Sequence, residues 1–272
     1  MMHLPQWRVL RDGDADLVLT VAFDPGRGNA NFSDLARCLG GRRVLEAVPR
    51  RTTVAALRDE GVDGYVAPWL EAVKEHGKPV KAVLGHCGGD SLARELAIGV
   101  RAWGLGEPSL MTFDPLVVDG SVLVEEYRVA VGALVAQLTP RDLEPALAAA
   151  ESHDAASTAG GSDLLSLAET LERAYRTAAA AACRNVSVAP AVQQQLCDRF
   201  SAYLTYLAAA ARARSAHPSA HAPIATTVLS ATADAGPRTA DPCGTITRFA
   251  VGPDRLLGDP EVAAHVSRAL SG

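Results

Sequence analysis

The sequence predicts an α/β protein, a mostly parallel sheet with helices on both faces and a helical lid insertion. Three observations carry that reading. Short apolar runs alternate with helical patterns from Asp16 to Asp114, the rhythm of a parallel sheet built from strand–helix units. One of these runs turns directly into a helix through Gly85-His86-Cys87-Gly88-Gly89. Strand signals then stop at about Ser121 and return only near Ile224. Residues 1–120 and 216–272 are therefore expected to form the sheet core, and 121–215 the helical insertion.

The elements follow in order. Asp16 to Phe23 reads as a buried strand running into Asp24-Pro-Gly-Arg-Gly-Asn-Ala30, a loop with two glycines. A helix is expected from about Phe32 to Leu39 and a second strand over Arg43–Val48. Two helices follow, Thr53–Glu60 and Gly64–His76, the latter with Tyr65, Trp69 and Val73 at helical spacing. The apolar run Val80–Leu84 leads into the glycine-rich turn. Leu92, Leu96 and Gly99 then recur at helix spacing up to about Trp103. Pro108–Asp114 is the next strand and ends on a carboxylate. In the insertion Ala, Leu, Glu and Arg dominate, and breaks at Pro140, 152–162 and Pro190 divide it into helices over 121–136, 140–150, 163–182 and 190–213. Tyr127, Tyr175, Tyr203 and Tyr206 are among the candidates for the inner face of this lid. Ile224–Ser230 and Gly244–Val251 restore strand character, and Pro260–Leu270 closes the chain as a helix. There is no internal repeat.

Composition narrows the function classes. The chain has 272 residues, 48% apolar and 21% charged, enough to bury a sizeable core. A net charge of −5 gives no reason to expect nucleic acid or an anionic membrane as partner. The start lacks an apolar signal core and no run approaches the length of a membrane span, so a cytoplasmic protein is expected. Five cysteines at irregular spacing form neither a disulfide framework nor a zinc pattern, and no metal or cofactor is expected.

The turn at 85–89 carries the chemistry. Its pattern is G-x-C-x-G, a nucleophile elbow with cysteine in place of serine. A strand turning straight into a helix holds the central residue in a strained conformation above the sheet, at the positive end of a helix. That position favours thiolate, the reactive form of cysteine. In parallel sheets the chemistry collects at the carboxyl ends of the strands. The 24–29 loop, Cys87 and Asp114 all lie at such ends. An inert cysteine in a glycine-rich turn, and an Asp114 that only caps the turn before Pro115, are the structural alternatives.

These residues resemble the α/β-hydrolase thioesterases of polyketide and nonribosomal peptide pathways, over essentially the whole chain. Val21-Ala-Phe-Asp-Pro-Gly-Arg-Gly28 is similar to their first-loop pattern, Leu84-Gly-His-Cys-Gly-Gly89 to their elbow, and Leu110-Met-Thr-Phe-Asp114 to the strand that carries their triad aspartate. A cysteine elbow is similar to that of the Dieckmann cyclases, which release polyketide–amino acid chains as tetramic acids or pyridones. The resemblance implies the α/β-hydrolase fold and a Cys, Asp and His triad. Its histidine is expected in the loop after the last strand. Here that loop reads Val251-Gly-Pro-Asp-Arg-Leu-Leu257 and contains none. His217, His221 and Asp254 are the candidates for the base. His86, beside the nucleophile, is expected to point away and pack.

On this resemblance, Cys87 attacks the phosphopantetheine thioester of an acyl or peptidyl carrier protein. The oxyanion donors are the N–H of Gly88 and one from the Phe23-Asp24 loop. Asp114 orients and stabilises the imidazole. The acyl-enzyme is then closed by a Dieckmann condensation. The alternatives are a thioesterase that hydrolyses carrier-bound thioesters, an acyltransferase that shuttles them, a catalytically silent binding protein, and a cysteine hydrolase of the dienelactone hydrolase type.

Overall fold

The structure is a computed structural model and describes residues 5–23, 31–157, 164–216, 225–233 and 244–271. Its strands are β1 (Trp7–Arg11), β2 (Leu17–Val21), β3 (Arg43–Ala47), β4 (Val80–His86), β5 (Ser109–Phe113), β6 (Ala225–Leu229) and β7 (Thr245–Arg248). The helices are α1 (Phe32–Cys38), α2 (Val54–His76), α3 (Asp90–Ala102), α4 (Gly120–Gly132), α5 (Pro140–Ser157), α6 (Leu164–Asn185), α7 (Pro190–Ala216) and α8 (Pro260–Ala269). The strands make one sheet in the order β1-β3-β2-β4-β5-β6-β7. β1 pairs antiparallel with β3, and every other pairing is parallel.

The chain divides into two compact units. One comprises 1–48, 62–117 and 212–272 and holds the sheet; the other comprises 49–61 and 118–211 and is helical. Residues 49–61, expected in the core from the sequence, cluster with the helical unit. Thr205 Oγ1 donates to the carbonyl of Thr52 at 3.3 Å, and Arg58 reaches Ser166 Oγ at 3.2 Å and Glu169 at 3.4 Å. The division falls at Gly61, where α2 is interrupted by φ 71 and ψ −173, a conformation open to glycine and little else.

In the sheet unit the central strands are buried on both faces, which explains their unbroken apolar runs. On one face α1 and α8 supply Phe32, Leu35, Leu39, Val262 and Val266 to a core shared with Ala82, Leu84, Met111 and Phe113. Asn31 fixes the start of α1 through a capping box. Its side chain accepts from the N–H of Ser33 at 2.9 Å, and Asp34 accepts from the N–H of Asn31 at 3.0 Å. On the other face α3 packs beneath β4, and the absent side chain of Gly99 admits Leu70 of α2. Trp7 donates its indole N–H to the carbonyl of Trp69 at 3.1 Å, which ties the edge strand down.

The helical unit has its own core. Phe200 of α7 packs on Tyr175 of α6 with ring centroids 4.1 Å apart and on Tyr127 of α4 at 6.2 Å. The Tyr127 hydroxyl donates to the carbonyl of Ala146 at 2.8 Å. Tyr127, Tyr175 and Tyr206 are thus buried, the first two in contacts inside this unit, and the expectation that Tyr127 and Tyr175 line an inner lid surface is corrected. A phenol with its hydroxyl satisfied and its ring stacked is a packing group.

Candidate active site

Cys87 closes β4 and opens a single turn of 3-10 helix, Cys87–Gly89, that passes directly into α3. Its φ is 54, a left-handed value that costs a non-glycine residue of order 1 kcal/mol. His86, immediately before it, is still extended at φ −124 and ψ 135. The strand therefore stops and the helix begins within one residue. Gly85 makes this possible. A Cβ there would lie 2.8 Å from both the Cβ of Ala93 and the Cα of Asp90, so only glycine lets α3 start this close to β4. The turn is held from outside as well, because the Leu116 N–H donates to the Cys87 carbonyl at 3.3 Å.

The other cysteines have different settings. Cys183 and Cys197 are buried in the helical unit, where burial pushes the Cys197 thiol up, and Cys38 is exposed at the end of α1. Cys87 alone among the described cysteines combines partial exposure, a left-handed backbone and a helix N-terminus at its back. Such a helix end favours negative charge.

Asp114 follows β5, the strand beside β4, and has φ 40. Its N–H donates to the carbonyl of Val228 at 3.0 Å. Its Oδ1 accepts from the N–H of Ser230, just past β6, at 2.8 Å. Its Oδ2 is buried and has no hydrogen-bond partner among the described residues. The side chain therefore caps a neighbouring strand with one oxygen and keeps the other bare. Cys87 and Asp114 lie at the carboxyl ends of adjacent strands, in the register His86 to Phe113.

Gly88 is buried in the turn. Phe23 is half-buried two residues past β2, whose Val21 pairs with Gly85 of β4, so β2 ends next to the turn at Cys87. Asp24, His217 and His221 lie outside the described residues. Asp254 is exposed in the turn after β7, and its carboxylate folds back over Gly252. β5 and β6 stand between its strand and β4, and no hydrogen bond or ion pair joins it to Cys87 or Asp114 among the described residues.

Two groups at the elbow were given no chemical role by the sequence. His86 was read as a packing residue, and its ring does pack, edge-on to Phe32 at 6.4 Å between centroids. Burial lowers its pKa from the ordinary imidazole value, and the charge of Asp114 pulls the other way. Asp90 opens α3 and is buried; burial pushes its carboxyl up to about 6, against smaller opposing effects from the Ser91 backbone and side chain and from the charges of Arg214 and Arg94. A carboxylate on the first helical turn after an elbow is the available sequence signal, and its burial could not be seen from position alone. Among the described residues no group of three or more His, Cys, Asp or Glu side chains is placed to hold a metal ion, and no helix is long and apolar enough to cross a membrane.

No protein-family model matches the chain and no curated protein sequence matches it. Solved structures do. An α/β-hydrolase family protein from Desulfitobacterium hafniense is 14% identical with a TM-score of 0.53, over 98% of this chain and 100% of that one. The thioesterase domain SrfTE, solved for the cyclization of the lipopeptide antibiotic surfactin, is 12% identical with a TM-score of 0.50, over 99% and 97%. A four-domain nonribosomal peptide synthetase bound to AMP and glycine is 15% identical with a TM-score of 0.53; the match covers 98% of this chain and 20% of that one. At such identities the likeness is one of fold. The chain has the α/β-hydrolase fold, in keeping with its mostly parallel seven-stranded sheet and its helices.

Proposed function

We propose that this protein releases carrier-bound acyl chains through a cysteinyl acyl-enzyme, and that it closes the released β-ketoamide into a tetramate or pyridone ring by Dieckmann condensation. The observation that carries the reading is Cys87 held at φ 54 between β4 and α3. On an α/β-hydrolase sheet that place belongs to the nucleophile. A thiol there suits a phosphopantetheine thioester, since sulfur replaces sulfur in the exchange. Among the solved structures of this fold stands a thioesterase domain named for a cyclization, which fits release by ring closure.

The Cys87 thiolate forms a C–S bond to the thioester carbonyl, and the bond to phosphopantetheine breaks. The carbon between the two carbonyls of the β-ketoamide gives its proton to the base of the site. The resulting enolate forms a C–C bond to the acyl carbonyl as Cys87 departs as thiolate. Gly88 and Phe23 are the proposed oxyanion donors. The helical unit is assigned the part of a lid that excludes water, because hydrolysis is the competing exit. The partner in this reading is an acyl or peptidyl carrier protein.

A second reading, hydrolysis or transfer of the acyl group, uses the same acyl-enzyme. Cyclisation is preferred because the attacking carbon is carried within the bound acyl chain itself, so its attack is intramolecular. Water needs a base to attack an acyl-enzyme, whereas the carbon of a β-ketoamide is already acidic. The test is to incubate the protein with a synthetic β-ketoacyl-aminoacyl pantetheine thioester, locate the covalent adduct by peptide mass and identify the product. A tetramate supports cyclisation, free acid or a transferred acyl group supports the second reading, and no adduct on Cys87 overturns both.

A further inference from the structure

The ends of β4 and β5 bring one imidazole and Asp114 to neighbouring strand ends, close enough for the carboxylate charge to act on the ring. His86 is the register partner of Phe113, the residue before Asp114. Side chains alternate along a strand. Gly85 faces α3, where Ala93 and Asp90 occupy the space of a Cβ, so His86 faces the opposite side with Ala82 and Leu84. Its ring stands edge-on to Phe32 at 83°, and Phe32 stands edge-on to Phe113 at 84° with centroids 5.8 Å apart. Phe32 thus holds both side chains on one face. Leu256 and Leu257, from the loop that lacks its histidine, join the same cluster.

Asp114 has an oxygen to offer. Oδ1 is committed to Ser230, while Oδ2 is buried and bare. A buried acceptor without a donor costs about 1–3 kcal/mol. Asp114 is also the only charged group among the described residues that acts on the His86 ring; the side chains that α1 and β5 present there, Phe32 and Phe113, are apolar.

We propose that His86 is the imidazole of this site, oriented by Asp114 and accepting the thiol proton of Cys87, in place of the histidine missing from the 251–257 loop. The inference rests on the reading of Cys87 as nucleophile. The S–H bond breaks, its electron pair stays on sulfur and attacks the thioester, and the proton passes to a ring nitrogen of His86. The imidazolium, stabilised by the Asp114 carboxylate, returns that proton to the departing phosphopantetheine thiolate. Burial keeps the free ring neutral and able to accept at pH 7.

The test needs no thioester. The rate of Cys87 alkylation by iodoacetamide is followed against pH in the full-length protein and in His86→Gln, with peptide masses separating Cys87 from Cys38. His86→Gln is expected to slow alkylation at pH 7 about tenfold and to move the midpoint up toward about 8.5, the value of an unassisted thiol. In a second measurement, the ¹⁵N shifts of the His86 ring are titrated in the unsubstituted protein and in Asp114→Asn. Loss of the carboxylate charge is expected to lower the imidazole midpoint by about one unit. An unchanged alkylation profile in folded His86→Gln overturns the proposal. So does a His86 titration that Asp114→Asn leaves in place, which keeps the test available if the glutamine variant does not fold. If both shifts appear but thioesters do not react, the carrier-release reading fails and the His86–Asp114 pair stands.

Discussion

The backbone N–H of Ser230 donates to Asp114 Oδ1 at 2.8 Å, so a carboxylate at the end of one strand is braced by the main chain at the end of the next. The other oxygen of that carboxylate is buried without a partner among the described residues. One oxygen fixes the side chain, and in the proposed reaction the other serves the imidazole. Separate substitutions can tell these roles apart.

Asp114→Asn retains a carbonyl oxygen for Ser230 and removes the charge. It is expected to leave the melting temperature within a few degrees of the original while turnover falls roughly 10- to 100-fold. Asp114→Ala also strips the Ser230 N–H of its acceptor and is expected to cost a further 1–3 kcal/mol, roughly, of stability. Calorimetry on the two variants, set beside turnover of the same thioester, checks the separation.

Cys87→Ala is expected to abolish both adduct and turnover and to keep the fold. Cys87→Ser is expected to lose at least about a hundredfold, because a hydroxyl gives up its proton to an imidazole far less readily than a thiol does. Retained turnover in the alanine variant would remove covalent catalysis from the account.

Two glycines give opposite expectations from similar clashes. At Gly85 a Cβ would meet the Ala93 Cβ and the Asp90 Cα at 2.8 Å, atoms that cannot move without shifting α3. At Gly99 it would meet Leu70 Cδ1 at 2.4 Å, the end of a side chain with other rotamers. Gly85→Ala is therefore expected to destabilise by about 1–3 kcal/mol and to displace the elbow, abolishing alkylation selectivity for Cys87. Gly99→Ala is expected to cost less and to leave that selectivity alone. Denaturant midpoints and peptide mapping decide it.

Asp90 sets a pH dependence. Its carboxyl is raised to about 6 by burial, above its unfolded value of 3.8. The folded state therefore binds the proton more tightly. Its stability is greatest below the unfolded pKa and is lost as pH rises through about 6. Asp90→Asn removes that loss. It is expected to be near neutral at pH 4 and to stabilise by about 2–3 kcal/mol at pH 8, at 1.36 kcal/mol per unit. Melting curves at the two pH values give the comparison, and equal effects at both would count against burial as the cause.

The sequence made the parallel strands and the sharp turn at Cys87 readable, because strands buried on both faces have to be apolar throughout and a strand that passes straight into a helix needs its glycines. β1 was missed. Trp-Arg-Val-Leu-Arg is short, carries two arginines and buries only Trp7 fully, as an antiparallel edge strand can. Asp114 was legible from its place at the end of a strand, but its two unequal oxygens were not, since they depend on Ser230, 116 residues away. His86 was assigned to packing on the ground that residues beside an elbow point away. It does point away from Gly85's face, and that direction is what brings it to Phe32 and within the influence of Asp114.

The partition at Gly61 bears on how such a protein can be rebuilt. The helical unit draws on two separate stretches of chain, 49–61 and 118–211. Val54 and Leu57, on the shorter stretch, are fully buried. Exchanging 118–211 alone for a foreign helical segment would leave those two side chains facing a surface they were not matched to. A chimaera that exchanges both stretches together, with the joint at Gly61, preserves the match.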